Sequence, residues 1–219
     1  MAAAQVMSSS AAARDSILQA IRRARAGADA VPDAPPAYRT PAALLGGIEQ
    51  FCAYAGEEAA TSEHVGRMED VPPAVLRYVT GQGLAMRVVV AADLDLDAAV
   101  WAAAQPLQIT GGPVERDGDT LVTGCYAGVA EAGALIMLSS SGVPNEAKFL
   151  AATHIAVVRA VDILPTFEAL WTRLRGDFTD RWPRTMNWIV GPSRTADLGV
   201  PSKLGAHGPA RVHIIIIDA

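Results

Sequence analysis

The sequence predicts an α/β protein with a mostly parallel central sheet sandwiched by helices and an N-terminal helical arm. Three observations predict it. Short runs such as Met86 to Ala91, His154 to Arg159 and Arg211 to Ile217 are apolar on both faces, as strands covered on both sides are. Segments of helical periodicity lie between such runs. The 219 residues are 51% hydrophobic and only 19% charged, enough apolar material for one sizeable core.

The elements follow in chain order. Met1 to Ala13 is rich in alanine and serine, without a pattern, and reads as a disordered N-terminus (1–13). Arg14 to Ala26 places Ile17, Leu18 and Ile21 on one side with arginines opposite, a short amphipathic helix. Gly27 to Pro41 collects glycine, aspartate and Pro35-Pro36, a linker, so residues 14–41 form an arm able to dock elsewhere, including on a second subunit of a homo-oligomer. From residue 42 to 219 strand and helix patterns alternate. Ala43 to Ala55 and Pro72 to Gln82 read as helices, the second with prolines in its first turn. Met86 to Ala91 is a β-branched strand, and Asp97 caps a helix reaching Ala103. Leu121 to Ala127, Ala134 to Ser139 and His154 to Arg159 read as strands, Leu164 to Arg175 as an amphipathic helix, and Asn187 to Val190 and Arg211 to Ile217 as the last strands.

Composition excludes several function classes. The net charge is −5, there is no basic stripe, and aromatic residues make up 5%, so no nucleic-acid footprint or base-stacking platform is present in the sequence. Cys52 and Cys125 are far apart and lack CxxC spacing; they cannot form a self-contained iron–sulfur or structural zinc site, and no metal ligand set is read elsewhere. Both read as buried thiols in a reducing compartment. The N-terminus lacks the cationic start and apolar stretch of a secretory signal. The strongest apolar run, Val212 to Ile217, is interrupted by His213 and too short to span a bilayer. A cytoplasmic location without a membrane span is the expectation.

One topological expectation bears on function. The segment between Val190 and Arg211 is punctuated by Gly199, Pro201, Gly205 and Pro209, which leave little room for a crossover helix. An antiparallel return of the last strand beside its predecessor is therefore expected. It would bring His207 to the sheet edge that carries Ser193 and Arg194, taken as the carboxyl edge where open α/β sheets bind ligands.

Three constellations carry chemistry. Gly191-Pro192-Ser193-Arg194-Thr195-Ala196-Asp197, followed by Gly205-Ala206-His207-Gly208-Pro209, interleaves turn-forming residues with hydroxyls, a guanidinium, a carboxylate and an imidazole. Arg194 offers a bidentate fork to a carboxylate or phosphate, Ser193, Thr195 and loop amides complete an anion cradle, and Asp197 can orient Arg194 or His207. A capped turn with a local salt bridge is the alternative, and a Ser–His–Asp nucleophilic triad a further one, though GxSxG is absent. Gly124 to Gly133 places Glu131 as the single charge in an apolar neighbourhood, suited either to acid–base or nucleophilic work or to capping a helix. Ser139-Ser140-Ser141 with Asn145, Glu146 and Lys148 follows a strand, able to lend hydroxyls and a cation to the same pocket or to form a solvated loop. His64, His154 and His213 read as structural.

The two C-terminal motifs, together with Ala130-Glu131-Ala132-Gly133 and Thr153-His154-Ile155, resemble the LUD-domain family from about Arg14 to the C-terminus. The resemblance implies a fold of the NagB/RpiA/CoA-transferase type for residues 42–219, with a pocket at the strand edge. It implies a component of a system oxidising L-lactate to pyruvate, whose iron–sulfur clusters reside in partner proteins and not in this chain. Ligand contacts are expected from Ser193, Arg194, Thr195, Asp197, Gly205, His207 and Ser140, with Glu131 and His207 as the catalytic candidates. The sequence departs from the family at Ala132-Gly133-Ala134, where a hydroxyl usually follows the glycine, at Ala151-Ala152, and across Gly199 to Lys203. The bound species is expected to be a small carboxylate or phosphate-bearing ligand. Two other functions stand beside this one: an acyl- or CoA-transferase using Glu131 as attacking carboxylate, and an assembly subunit without a ligand.

Overall fold

The computed structural model describes residues 2–26, 46–92, 94, 98–111, 114, 118–139, 145–195, 203–205 and 207–218. Contacts divide the chain into two units, Met1–Arg39 and Thr40–Ala219. In the first, helix α1 spans Ala2–Arg25, starting well upstream of the expected Arg14. The segment expected to be disordered is thus helical from Ala2, consistent with the high helix propensity of its alanines. Ile17 and Ile21 on α1 are exposed. The linker expected over 27–41 lies outside the described residues.

The second unit runs α2 (Ile48–Glu57), β1 (Thr61–Val65), α3 (Val71–Gly81), β2 (Arg87–Val90), α4 (Ala98–Trp101) with a 3₁₀ turn over Ala102–Ala104, β3 (Gln108–Thr110), β4 (Thr120–Gly124), β5 (Ala127–Val129) and β6 (Ala134–Leu138). It continues through α5 (Ala147–Leu150), β7 (Thr153–Arg159), β8 (Ile163–Leu164), α6 (Phe167–Asp177), β9 (Met186–Ile189), β10 (Arg194–Thr195), β11 (Lys203–Leu204) and β12 (Arg211–Ile217).

Six strands form a sheet in the order β1-β12-β7-β4-β2-β3, and every neighbouring pair is parallel. The expected α/β fold with its mostly parallel central sheet is therefore present. Register follows burial: β12 sits between β1 and β7, and Val212 to Ile217 are all nearly inaccessible. Val122, Ile155, Val157, Ile215 and Ile217 pack on α3 and on Trp101 of α4, covering one face. Ala156, Val158, Val212, Ile214 and Ile216 pack on Phe51 and Ala55 of α2 and on Leu135, Met137 and Ile189, covering the other.

Those last three residues belong to a second, four-stranded sheet of order β8-β5-β6-β9. In it β5–β6 and β6–β9 are antiparallel, and only β5–β8 is parallel. Leu170 and Leu174 of α6 cover its outer face with Ala127, Val129, Ala134 and Ile136. Ala134 to Ser139 and Asn187 to Val190 were expected within the one mostly parallel sheet; Ala134 to Met137 read so because β6 is buried on both faces, and apolarity on both faces reports coverage and not strand direction. The strand expected to reach Ala127 stops at Gly124, where the chain steps from one sheet to the other and the Tyr126 amide donates to the Ile136 carbonyl at 3.0 Å. Strand β1, not expected, is a polar edge strand whose backbone pairs with β12.

Candidate functional site

The C-terminal motifs are built around backbone geometry. Gly191 follows β9 with φ +69°, and a Cβ there would lie 2.2 Å from the Glu58 carbonyl oxygen, so the chain turns flush against the end of α2. The Ser193 amide donates to the Pro209 carbonyl at 2.8 Å, and the Gly205 amide donates to the Ser193 carbonyl at 2.9 Å. Between them β10 and β11 pair antiparallel, Arg194 with Leu204 and Thr195 with Lys203. The Ala210 amide then donates to the Ala152 carbonyl at 2.9 Å, tying the loop to the start of β7. The two motifs are thus one hydrogen-bonded unit.

The expected antiparallel return does not occur. β9 and β12 belong to different sheets, and β12 lies parallel between β1 and β7. The small β10–β11 ribbon, closed by the Gly205 and Pro209 hydrogen bonds, performs the approach assigned to the strand. A cavity of about 400 Å³ opens beside this loop, lined by Gly118, the Phe149–Ala152 segment, Gly205, His207, Gly208 and Ala210. These residues immediately precede β4, β7 and β12, so the cavity sits at the amino ends of the parallel strands, not at the expected carboxyl edge. The carboxyl ends of β4 and β7 instead lead directly into β5 and β8 of the small sheet.

Among the described residues the cavity is lined by His207 and Gly205 but not by Arg194, Ser193 or Glu131. Arg194 Nη1 lies 3.4 Å from Glu58 Oε2, both side chains substantially exposed. Among the described residues Glu58 is its ion-pair partner. Exposed pairs of this kind contribute about 0–1 kcal/mol, so the guanidinium can exchange this carboxylate for another anion at little cost. Thr195 supplies backbone to β10; Asp197 and Ser140 lie outside the described residues.

Glu131 occupies the turn between β5 and β6, and its Oε1 accepts a hydrogen bond from the Phe167 amide at 2.7 Å. With Thr166 Oγ1 accepting from the Ala169 amide at 3.3 Å, it caps the amino end of α6. Ser139 lines a different cavity, formed with Leu138, Phe178 and residues 181–184. Lys148 is fully buried on α5, beside His154. Glu131, Ser139 and His207, expected around one pocket, thus stand at separate places.

The buried histidines are structural. His154 is fully inaccessible, and its Nε2 lies 2.8 Å from Thr123 Oγ1; burial, reinforced by the Lys148 cation, lowers its pKa to about 4. His213 stacks on Tyr78 with ring centroids 4.0 Å apart, and its Nδ1 lies 2.8 Å from Thr61 Oγ1. Burial lowers its pKa to about 4, against the opposing pull of Glu63. One convergence carried no sequence signal: Cys52 Sγ lies 4.0 Å from His64 Nε2, whose Nδ1 is 3.0 Å from Asp218 Oδ1. These residues come from α2, β1 and the end of β12, and only the sheet topology brings them together. Arg87 and Asp119 likewise meet at 2.6 Å, next to Gly118 at the cavity. Among the described residues no group of three or more His, Cys, Asp and Glu is placed to hold a metal ion, and no helix is long and apolar enough to cross a membrane.

A parallel sheet covered on both faces, with a small sheet appended and a glycine- and proline-built loop beside a cavity, defines an α/β protein with a ligand-sized recess at its strand edge. Residues 116–217 match the LUD domain. It is similar to lactate utilization protein C of Deinococcus radiodurans, 29% identical over an alignment of 227 positions covering 95% of this chain and 97% of that one. The proteins of the same name from Macrococcus caseolyticus and Bacillus subtilis are 30% and 29% identical over 92 residues. Those matches cover 41% of this chain and only 40% and 38% of the two relatives. In structure the chain resembles a DUF162 family protein of Deinococcus radiodurans, with a TM-score of 0.56, 22% identity, and coverage of 82% of this chain and 99% of the other.

Proposed function

We propose that this chain serves lactate utilisation by binding a small anionic ligand, a carboxylate or a phosphate-bearing molecule, at the loop formed by its two C-terminal motifs. In this reading iron–sulfur partner proteins supply the electron transfer. The names of the similar proteins support the process. The observation that carries the site is the hydrogen-bonded union of Ser193 with Gly205 and Pro209, which sets His207 on the rim of the cavity.

Chemically, loop amides and the His207 imidazole offer donors to acidic oxygens, and Arg194 is a guanidinium whose exposed partner, Glu58, is readily exchanged. A transferase using Glu131 asks for a free carboxylate, whereas that carboxylate is engaged by the Phe167 amide. Binding therefore ranks ahead of catalysis. Deleting the gene is expected to impair growth on L-lactate, with wild-type copies restoring it and an Arg194→Ala/His207→Ala copy failing to do so. Normal growth of the deletion strain in the absence of a redundant copy would overturn the role in lactate use. Full rescue by the double variant would overturn the site.

A further inference from the structure

The second cavity, about 530 Å³, lies at the far end of the small sheet, where β6 ends and the chain re-enters β9. Its size falls within the range of small-molecule sites. Its walls combine two chemistries: Leu138, Phe178, Trp182 and Pro183 are apolar or aromatic, while Arg181 and Arg184 carry guanidiniums. Among the described residues neither arginine makes an ion pair, and the neighbouring Asp177 is already engaged by Tyr126 Oη at 2.7 Å and Arg173 at 3.5 Å. Trp182 is 45% exposed, with its ring centroid 6.4 Å from that of Phe178, an aromatic surface open to solvent on one side.

The rim is built rather than loose. The Ser139 amide donates to the Thr185 carbonyl at 3.0 Å, and the Thr185 amide donates back to Ser139 Oγ at 3.1 Å. Asn145 Nδ2 donates to Thr185 Oγ1, and Asn187 Nδ2 donates to Asn145 Oδ1 at 3.1 Å. This network pins the strand ends that carry the cavity, so the arginines and Trp182 extend from a fixed base.

We propose that this cavity binds a nucleotide-type ligand, a flat ring joined to a diphosphate. Two guanidinium forks flanking one aromatic ring suit several acidic oxygens better than a single carboxylate does, and arginine matches phosphate geometry in bidentate fashion. The ring of the ligand stacks on Trp182, as bases stack on exposed aromatics. This inference is independent of the lactate reading, whose site lies at the amino edge of the large sheet.

The test uses the full-length protein with ADP as probe, followed by calorimetry and by tryptophan emission. Saturable binding at submillimolar ADP is expected, with quenching that disappears in Trp182→Phe. Arg181→Ala/Arg184→Ala is expected to weaken binding by roughly tenfold or more, as loss of charge-assisted phosphate contacts does. Adenosine and pyrophosphate alone are each expected to bind more weakly than ADP, since each lacks one half of the recognised chemistry. Thermal melts of the variants control for folding, and all three substituted residues are exposed. The proposal is overturned if ADP shows no saturable binding. It also falls if the double arginine variant binds ADP as the wild type does, or if adenosine or pyrophosphate alone matches ADP.

Discussion

Gly133 and Gly191 share a left-handed backbone, φ +58° and +69°, and both press against the α2 segment. A Cβ at Gly133 would lie 2.3 Å from the Ala55 amide nitrogen, and one at Gly191 would lie 2.2 Å from the Glu58 carbonyl oxygen. Gly83 has a similar φ of +62° but nothing within 4 Å of its added Cβ. Gly83→Ala thus carries only the backbone cost, about 1–2 kcal/mol. Gly133→Ala and Gly191→Ala are expected to lose a further 1–3 kcal/mol or so through overpacking against backbone atoms. Urea midpoints of the three variants measure the difference, and equal losses would refute the packing argument. Gly191 opens the first of the two C-terminal motifs, so part of that motif's glycine content answers to packing against α2.

At the scale of elements, α6 shows how a chemistry-bearing residue is absorbed into architecture. Glu131 on the β5–β6 turn and Thr166 together satisfy amides of its first turn. The negative charge also suits the positive end of the helix. Glu131→Ala is expected to destabilise the protein by about 1 kcal/mol, with Glu131→Gln intermediate because its amide oxygen still accepts the Phe167 bond. Chemical denaturation of the two variants checks this; an alanine variant as stable as the wild type would remove the capping role. The β10–β11 ribbon contributes by its backbone: its pairing holds Ser193 beside Gly205 and Pro209.

For the whole molecule, the two buried histidines set a pH dependence. Both titrate near 4 in the fold, chiefly through burial, against an ordinary 6.5 in the unfolded chain. Between those values the unfolded chain binds more protons, so stability is fully present above about pH 6.5 and falls as pH drops toward 4. The drop from 6.5 to about 4 corresponds to roughly 3 kcal/mol for each histidine on complete titration. His154 faces Thr123 and the Lys148 cation, which deepens the effect; His213 faces Tyr78, Thr61 and Glu63, the last of which opposes it. Urea unfolding at neutral pH and near pH 5 is expected to show the loss, and His213→Gln to flatten it. A pH-independent midpoint over that window would contradict the burial of neutral imidazoles.

The sequence by itself determined the α/β class with its mostly parallel sheet, the buried strands β2, β7 and β12, helix α3 with its opening prolines, and the loop motifs as a unit of interest. These are local: periodicity, β-branching and turn residues act within a few positions of one another. It could not separate the two sheets, because strands buried on both faces look alike whether their neighbours run parallel or antiparallel. Only the tertiary structure decided that β9 and β12 lie in different sheets and that the His207 cavity faces the amino ends of the strands. It also decided that Glu131 serves α6, that Arg194 meets Glu58, and that Arg181, Trp182 and Arg184 surround a cavity of their own. Those outcomes join residues far apart in the chain through strand order and packing, and no local pattern encodes which distant partner a charged side chain will meet.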